Sequence, residues 1–318
     1  MKNKTLYMIG LGPILALAMT LSSSAYALPS KAAAAGDSIT MGFAADCRYN
    51  RYFWDLFCLI GGDQPEHSWF DGWSSRVNSV HDKYKQIDSS ISANKSAAAS
   101  GSEMRGGSNN LATQAANIVA QTTTPDHVEV VLGGNDICNR DCTDGSNCSN
   151  PLYSESQWRS SVQSGLNTLV QGLPLGSTVY FAGVPRVQDL RAAGVAKQAT
   201  SSRIRCENIW STFNVCNVAT SGGSMSGESS AQRLAAIEVA QQRYNEIIAE
   251  EANAYNTNSN SQNPRGIEVV TDYAGENVAS TGTFAFTKDD IDGGDCFHPS
   301  LLGQNKVANL MWGANPDK

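Results

Sequence analysis

Residues Gly293 to Ser300 read GGDCFHPS, with Asp295 three positions ahead of His298. A turn of that length can bring both side chains onto one side of a loop. A carboxylate that fixes the tautomer of a histidine and stabilises its cation makes it an effective general base. His67, His81 and His127, the other three histidines, have no comparable neighbour and read as surface or structural residues. The base needs a nucleophile, and the stretch AAAAGDSITMG, Ala32 to Gly42, offers Ser38 directly after an apolar run. The competing role for Ser38 or Asp37 is capping a helix N-terminus. The G-x-S-x-G elbow of ordinary α/β-hydrolases is not satisfied, because position 40 is threonine.

Attack on an ester carbonyl also requires donors aimed at the developing oxyanion. VLGGNDIC, Val131 to Cys138, places two glycines where the backbone can turn and Asn135 where a side-chain amide can project. An Asx-turn is the plainer role for that asparagine. AAASGSEMRGG, Ala97 to Gly107, offers the Gly101 backbone N–H, with Gly106 and Gly107 as alternatives.

These residues need a scaffold that gathers them. His127 to Leu132, Thr178 to Val184 and Gly266 to Val270 are short and mostly apolar, as expected of strands buried on both faces. Ala32 to Ala35 and Ala97 to Ala99 are two further candidates. Helical periodicity is clearest over Ser229 to Tyr255, and Asn110 to Gln121, Ser154 to Leu173 and Pro299 to Trp312 follow the same pattern. Strands alternating with helices predict an α/β fold with a parallel sheet covered on both faces, and a site at the carboxyl ends of its strands. Ser38, Gly101, Asn135 and the Asp295/His298 pair each follow a predicted strand.

At this point the sequence resembles the SGNH or GDSL hydrolases. The matching blocks are GDSIT (Gly36 to Thr40), Ser100-Gly101, GGND (Gly133 to Asp136) and DCFHP (Asp295 to Pro299), in that order over about residues 34 to 312. The resemblance implies a three-layer α/β/α sandwich with about five parallel strands, and an esterase mechanism that needs no cofactor. It implies Ser38 as nucleophile, His298 as base and Asp295 as its orienter. The oxyanion hole would be the backbone N–H groups of Ser38 and Gly101 with the Asn135 amide. The cysteines beside two blocks look similar to the phospholipase B-like branch, which points to acyl lipids as substrates. A carbohydrate O-acetyl ester is the alternative within the class, and a non-catalytic exported binding module the alternative outside it.

Residues 1–27 read as an export signal: Lys2 and Lys4, an apolar stretch from Leu6 to Leu21, and Ala25-Tyr26-Ala27 as a small-x-small cleavage site. Residues 28–318 are then expected to form one hydrolase domain, periplasmic or secreted, with insertions at about 43–72 and 188–227. No other stretch is apolar enough to anchor the chain in a membrane, although transient contact with a lipid surface fits a lipid substrate. Loss of the two lysines moves the formal net charge from −7 to −9, which argues against nucleic-acid partners.

Eight cysteines behind an export signal read as disulfides. Cys47 with Cys58 and Cys206 with Cys216 would each close a short loop within an insertion. That leaves Cys138, Cys142, Cys148 and Cys296, for which three pairings exist; a Cys138–Cys296 bridge between two site loops is attractive. No C-x-x-C or H-E-x-x-H pattern suggests a metal, and Asp289 to Asp295 (DDIDGGD) fails the spacing of a calcium loop. The first insertion is rich in aromatics (Tyr49, Tyr52, Phe53, Trp54, Phe57, Trp69, Phe70). These could line an acyl pocket or form a stapled subcore.

Overall fold

The computed structural model describes residues 28–47, 62–93, 96–138, 153–257, 261–271 and 286–317. Five strands form one parallel sheet in the order β2-β1-β3-β4-β5. They are β1 (Lys31–Gly36), β2 (Ser92–Ala93), β3 (His127–Val131), β4 (Thr178–Phe181) and β5 (Glu268–Thr271). The alanines of β1 and all five residues of β3 are buried, as the centre of a sheet covered on both faces demands. Alanine is a poor strand former, but its short side chain lets helices approach the sheet closely. Ala97 to Ala99 lie just beyond β2 and run alongside β1: the Ala97 N–H donates to the Ala34 carbonyl and the Ala99 N–H to that of Gly36.

The helices are α1 (Val80–Ile87), α2 (Leu111–Val119), α3 (Gly134–Cys138), α4 (Glu155–Gly172), α5 (Leu190–Gln198), α6 (Cys206–Phe213), α7 (Asn217–Thr220), α8 (Ser230–Thr257) and α9 (Leu301–Ala314). One layer packs α2 on α4 and α4 on α8; the other packs α1 on α9. Successive side chains of a strand point to opposite faces, and His127 and Glu129 of β3 face the second layer. There His127 meets the Tyr84 ring of α1 and Asp317, beyond α9. This is the expected three-layer α/β/α sandwich.

Local chemistry fixes the helix ends near the site. Ser79 and Ser154 form capping boxes with Asp82 and Gln157 at the starts of α1 and α4. Ser300 caps α9 through the Gly303 N–H, so α9 begins three residues after His298 and holds the exit of that loop. Register does the rest: Gly36, the last residue of β1, pairs with Val131, the last of β3. Ser38 and Asn135 therefore leave the sheet from the same level.

Part of the second predicted insertion, 188–227, is helical, forming α5, α6 and α7. Most of the first, 48–61, lies outside the described residues, including Tyr49, Tyr52, Phe53, Trp54 and Phe57. Its Trp69 and Phe70 are fully buried in the core.

Candidate active site

Gly36 ends β1 where no side chain fits: a Cβ there would stand 2.0 Å from Thr40 Oγ1. The buried Gln114 of α2 clamps this residue from both sides, accepting its N–H at 2.7 Å and donating to its carbonyl at 2.9 Å. Beyond it the chain turns, with the Met41 N–H donating to the Asp37 carbonyl and the Phe43 N–H to that of Ser38. No helix begins among described residues 37–47; Asp37 instead closes an Asx-turn, its Oδ1 accepting the Ile39 N–H at 2.9 Å. Ser38 is left for other work. Burial pushes Asp37 up to about 6, against the pull of the Ile39 N–H and the His298 charge.

His298 Nε2 lies 2.9 Å from Ser38 Oγ, and His298 Nδ1 lies 2.5 Å from Asp295 Oδ2. The other carboxylate oxygen of Asp295 accepts the backbone N–H groups of Phe297 and His298 at 2.9 and 3.0 Å. One aspartate thus shapes the turn and faces the ring at once. Phe43 and Phe297 flank the imidazole, with ring centroids 4.5 and 5.0 Å away. The loop is framed by Asp292, whose N–H donates to the His298 carbonyl and whose carbonyl accepts the Cys296 N–H. Asp292 Oδ1 accepts the Gly294 N–H at 2.6 Å. Burial, reinforced by the Asp295 charge, raises Asp292 to about 8.

Asn135 stands in the first turn of α3 and lines the same pocket as Ser38 and His298. Its Nδ2 donates one hydrogen to the Ser102 carbonyl at 2.9 Å, which orients the amide. Gly101 has φ +79°, and a Cβ there would meet nothing within 4 Å. The glycine answers to its backbone conformation rather than to crowding. Gly101 sits one residue before the Asn135 contact and is not among the pocket's lining residues. Among the described residues, then, Ser38, His298, Asp295 and Asn135 converge directly, and Gly101 stands on the loop that Asn135 holds.

The pocket has further walls that sequence reasoning did not single out: Pro185, Arg186, Val187 and Leu190 from the segment after β4, and Phe286. Their signal was the rule that site loops follow strand carboxyl ends, applied to β4.

The disulfides correct two expected pairings. Cys206 bonds to Cys296, and Cys138 to Cys216. A Cys206–Cys216 bridge fails because α6 starts at Cys206 and fills most of the interval. At about 1.5 Å of rise per residue, a helix of that length holds its two ends farther apart than a disulfide can span. Each cysteine instead reaches a site loop, Cys216 the end of α3 and Cys206 the Asp295/His298 turn. The direct Cys138–Cys296 bridge is replaced by two bridges through the 188–227 segment. Cys47 is also disulfide-bonded; Cys58, Cys142 and Cys148 lie outside the described residues.

A hydroxyl, an imidazole and a carboxylate in series, beside an amide donor, form an arrangement able to carry out nucleophilic acyl transfer. Among the described residues no group of three or more His, Cys, Asp or Glu side chains is arranged to hold a metal ion. The sequence model of the GDSL-like lipase/acylhydrolase family matches residues 33–311. The chain belongs to this family. As a GDSL hydrolase it carries the family's match across all five strands except the first two residues of β1. No curated protein matches the chain in sequence. One solved crystal structure superposes with a TM-score of 0.42 at 12% identity, covering 91% of this chain and 97% of its own. Another gives 0.39 at 12% identity, covering 89% and 67%. It is a carbohydrate esterase whose active site is described as displaying divergent catalytic and non-catalytic binding functions.

Proposed function

We propose that this GDSL hydrolase cleaves carboxylic esters, with Ser38 as nucleophile, His298 as base and Asp295 as the group that orients and charge-balances the imidazole. The observation that carries the reading is the unbroken series from Ser38 Oγ to His298 Nε2 at 2.9 Å and from His298 Nδ1 to Asp295. Ser38 Oγ attacks the carbonyl carbon while its proton moves to His298 Nε2. The tetrahedral oxyanion takes hydrogen bonds from the Ser38 and Gly101 N–H groups and the second amide hydrogen of Asn135. His298 then protonates the leaving alcohol. Water, deprotonated by the same nitrogen, attacks the acyl-enzyme and releases the acid.

The largely apolar walls of the pocket suit an acyl group, in keeping with the lipid ester expected from the sequence. Its small size favours the other expected substrate, an acetylated carbohydrate. We place the chain outside the cytoplasm, with residues 1–27 as a removable leader and 28–318 as one hydrolase unit. The disulfides are at home in an oxidising compartment, and among the described residues no helix is long and apolar enough to cross a membrane.

The test is Ser38→Ala beside wild type on p-nitrophenyl acetate, phospholipids and acetylated xylan, with labelling by a serine-directed organophosphate. Hydrolysis and labelling confined to wild type are expected. Equal turnover by the variant would remove Ser38 from the chemistry.

A further inference from the structure

We infer that the pocket beside Ser38 admits only short acyl groups, acetyl or propionyl, and excludes fatty acyl chains. This rests on the esterase reading above and deepens it by naming the acyl class. The cavity measures about 30 Å³, and about 10–15 Å³ on this measure accommodates a single water-sized group. Two or three heavy atoms fill it, which is the size of the acyl part of an acetate ester.

The width is set by groups that cannot simply swing aside. A Cβ placed on Gly134 would lie 3.7 Å from Val187 Cγ1, so at that point the gap is one methyl wide. Val187, Leu190 and Phe286 are themselves buried, each less than a tenth exposed, and have packed neighbours behind them. The floor and the roof are cross-linked. Cys138, which lines the pocket, is bonded to Cys216, and Cys296, beside Phe297, is bonded to Cys206. Both bridges end in the 188–227 segment, whose α5 carries Leu190. Widening the pocket therefore means moving a backbone tied at two points. The narrow space beside Ser38 is too small for a long chain, and its cross-linked walls resist widening around one.

The test is a chain-length series of p-nitrophenyl esters (acetate, butyrate, octanoate) on the full chain with its disulfides intact. In wild type, kcat/KM should fall by at least about tenfold from acetate to octanoate, since a few methylenes that do not fit a narrow pocket cost that much. Leu190→Ala should raise the octanoate-to-acetate ratio by about tenfold. Gly134→Ala should act in the opposite sense, lowering butyrate relative to acetate; its Cβ has no neighbour closer than 3.7 Å, so the fold should accept it even if Leu190→Ala is too unstable to assay. Octanoate cleaved as well as acetate by wild type would overturn the inference and leave the esterase reading standing. No hydrolysis of any ester, with no organophosphate labelling of Ser38, would defeat the esterase reading and the inference with it.

Discussion

The buried carboxylate of Asp136 accepts the backbone N–H of Met104 at 2.6 Å, and its second oxygen accepts that of Arg105 at 3.1 Å. One residue earlier, Asn135 donates in the reverse direction to the Ser102 carbonyl. The loop that carries Gly101 and the helix that carries Asn135 are thus held by three hydrogen bonds formed by two adjacent side chains. If both supply oxyanion donors, their spacing depends on this lock. Asp136→Asn keeps the volume but turns an amide N–H toward one of the two donors. We expect it to lower kcat with little change in KM. Asp136→Ala strands both N–H groups and should also cost about 1–3 kcal/mol of stability. Steady-state kinetics and thermal melts on both variants check this, and a loss confined to KM would refute the positioning role.

Asn135→Ala removes the donor itself. The expected loss is about 3 to 4 kcal/mol of transition-state stabilisation, a fall of roughly 10²- to 10³-fold in kcat. Asn135 is only partly buried, and the two Asp136 bonds still hold the Gly101 loop, so the melting temperature should fall by much less than in Asp136→Ala. Unchanged turnover would take Asn135 out of the oxyanion hole.

Much of this site was legible because each block obeys a local rule. Gly36 is forced by the turn that presents Ser38, and Asp295 must precede His298 by a turn's length to reach Nδ1. The long period of α8 and the β-branched residues of β3, β4 and β5 were equally plain. Other features depend on distances across the fold, which a sequence does not carry. α1 buries only Val80 and Tyr84, four residues apart in a polar stretch, too few for a periodic signal. The strand beside β1 was expected at Ala97 to Ala99, and those residues do bond to it, but the regular pairing falls at Ser92–Ala93. The short loop between Cys206 and Cys216 looks easy to close from sequence, whereas the helix inside it holds its ends apart and sends each cysteine to a distant partner.

Cys296 adopts φ +57°, a conformation that a side chain with a Cβ disfavours, and it lies between Asp295 and His298. The bond to Cys206 and full burial hold it there. Cys206→Ser releases the turn without touching Cys296 itself. Activity should fall at least about tenfold, because a shift of about 1 Å at a catalytic group is enough for a loss of that order. Wild-type activity in this variant would show that Asp295 and the backbone bonds from Asp292 hold the turn unaided.

Asp292 sets a pH dependence that can be assigned a sign. Its folded value is about 8 against 3.8 for a free aspartate, chiefly through burial and then through Asp295. The folded state therefore binds this proton more tightly than the unfolded chain. Its contribution to stability is complete below about pH 4 and declines as pH rises through 8. Asp292→Asn keeps an acceptor for the Gly294 N–H and removes the titration. Wild type and variant should melt alike near pH 4, and the variant should gain on wild type by pH 8 and above. Parallel curves across that range would contradict the assignment.

At the opposite end of the sheet, His127 is buried between two carboxylates, with Nδ1 2.7 Å from Asp317 and Nε2 3.2 Å from Glu129. Burial works against its charge, but the hydrogen bonds it donates to both acids, Asp317 first, outweigh it and raise the imidazole to about 9. Around them, Asn315 donates to Glu129 and to the Tyr84 hydroxyl, and Thr178 donates to Asp317. The cluster fastens residues 315–317 to β3, β4 and α1. With the folded value above the ordinary 6.5, the stabilisation is fully present below about pH 6.5 and is lost as pH rises through 9. His127→Gln leaves two buried acids without their cation and should cost about 3–5 kcal/mol at neutral pH. Because wild type itself loses the cation in alkali, the gap between the two should narrow above pH 9. Denaturant unfolding at pH 7 and pH 10 measures it, and a gap of the same size at both would mean that His127 is neutral in the folded protein.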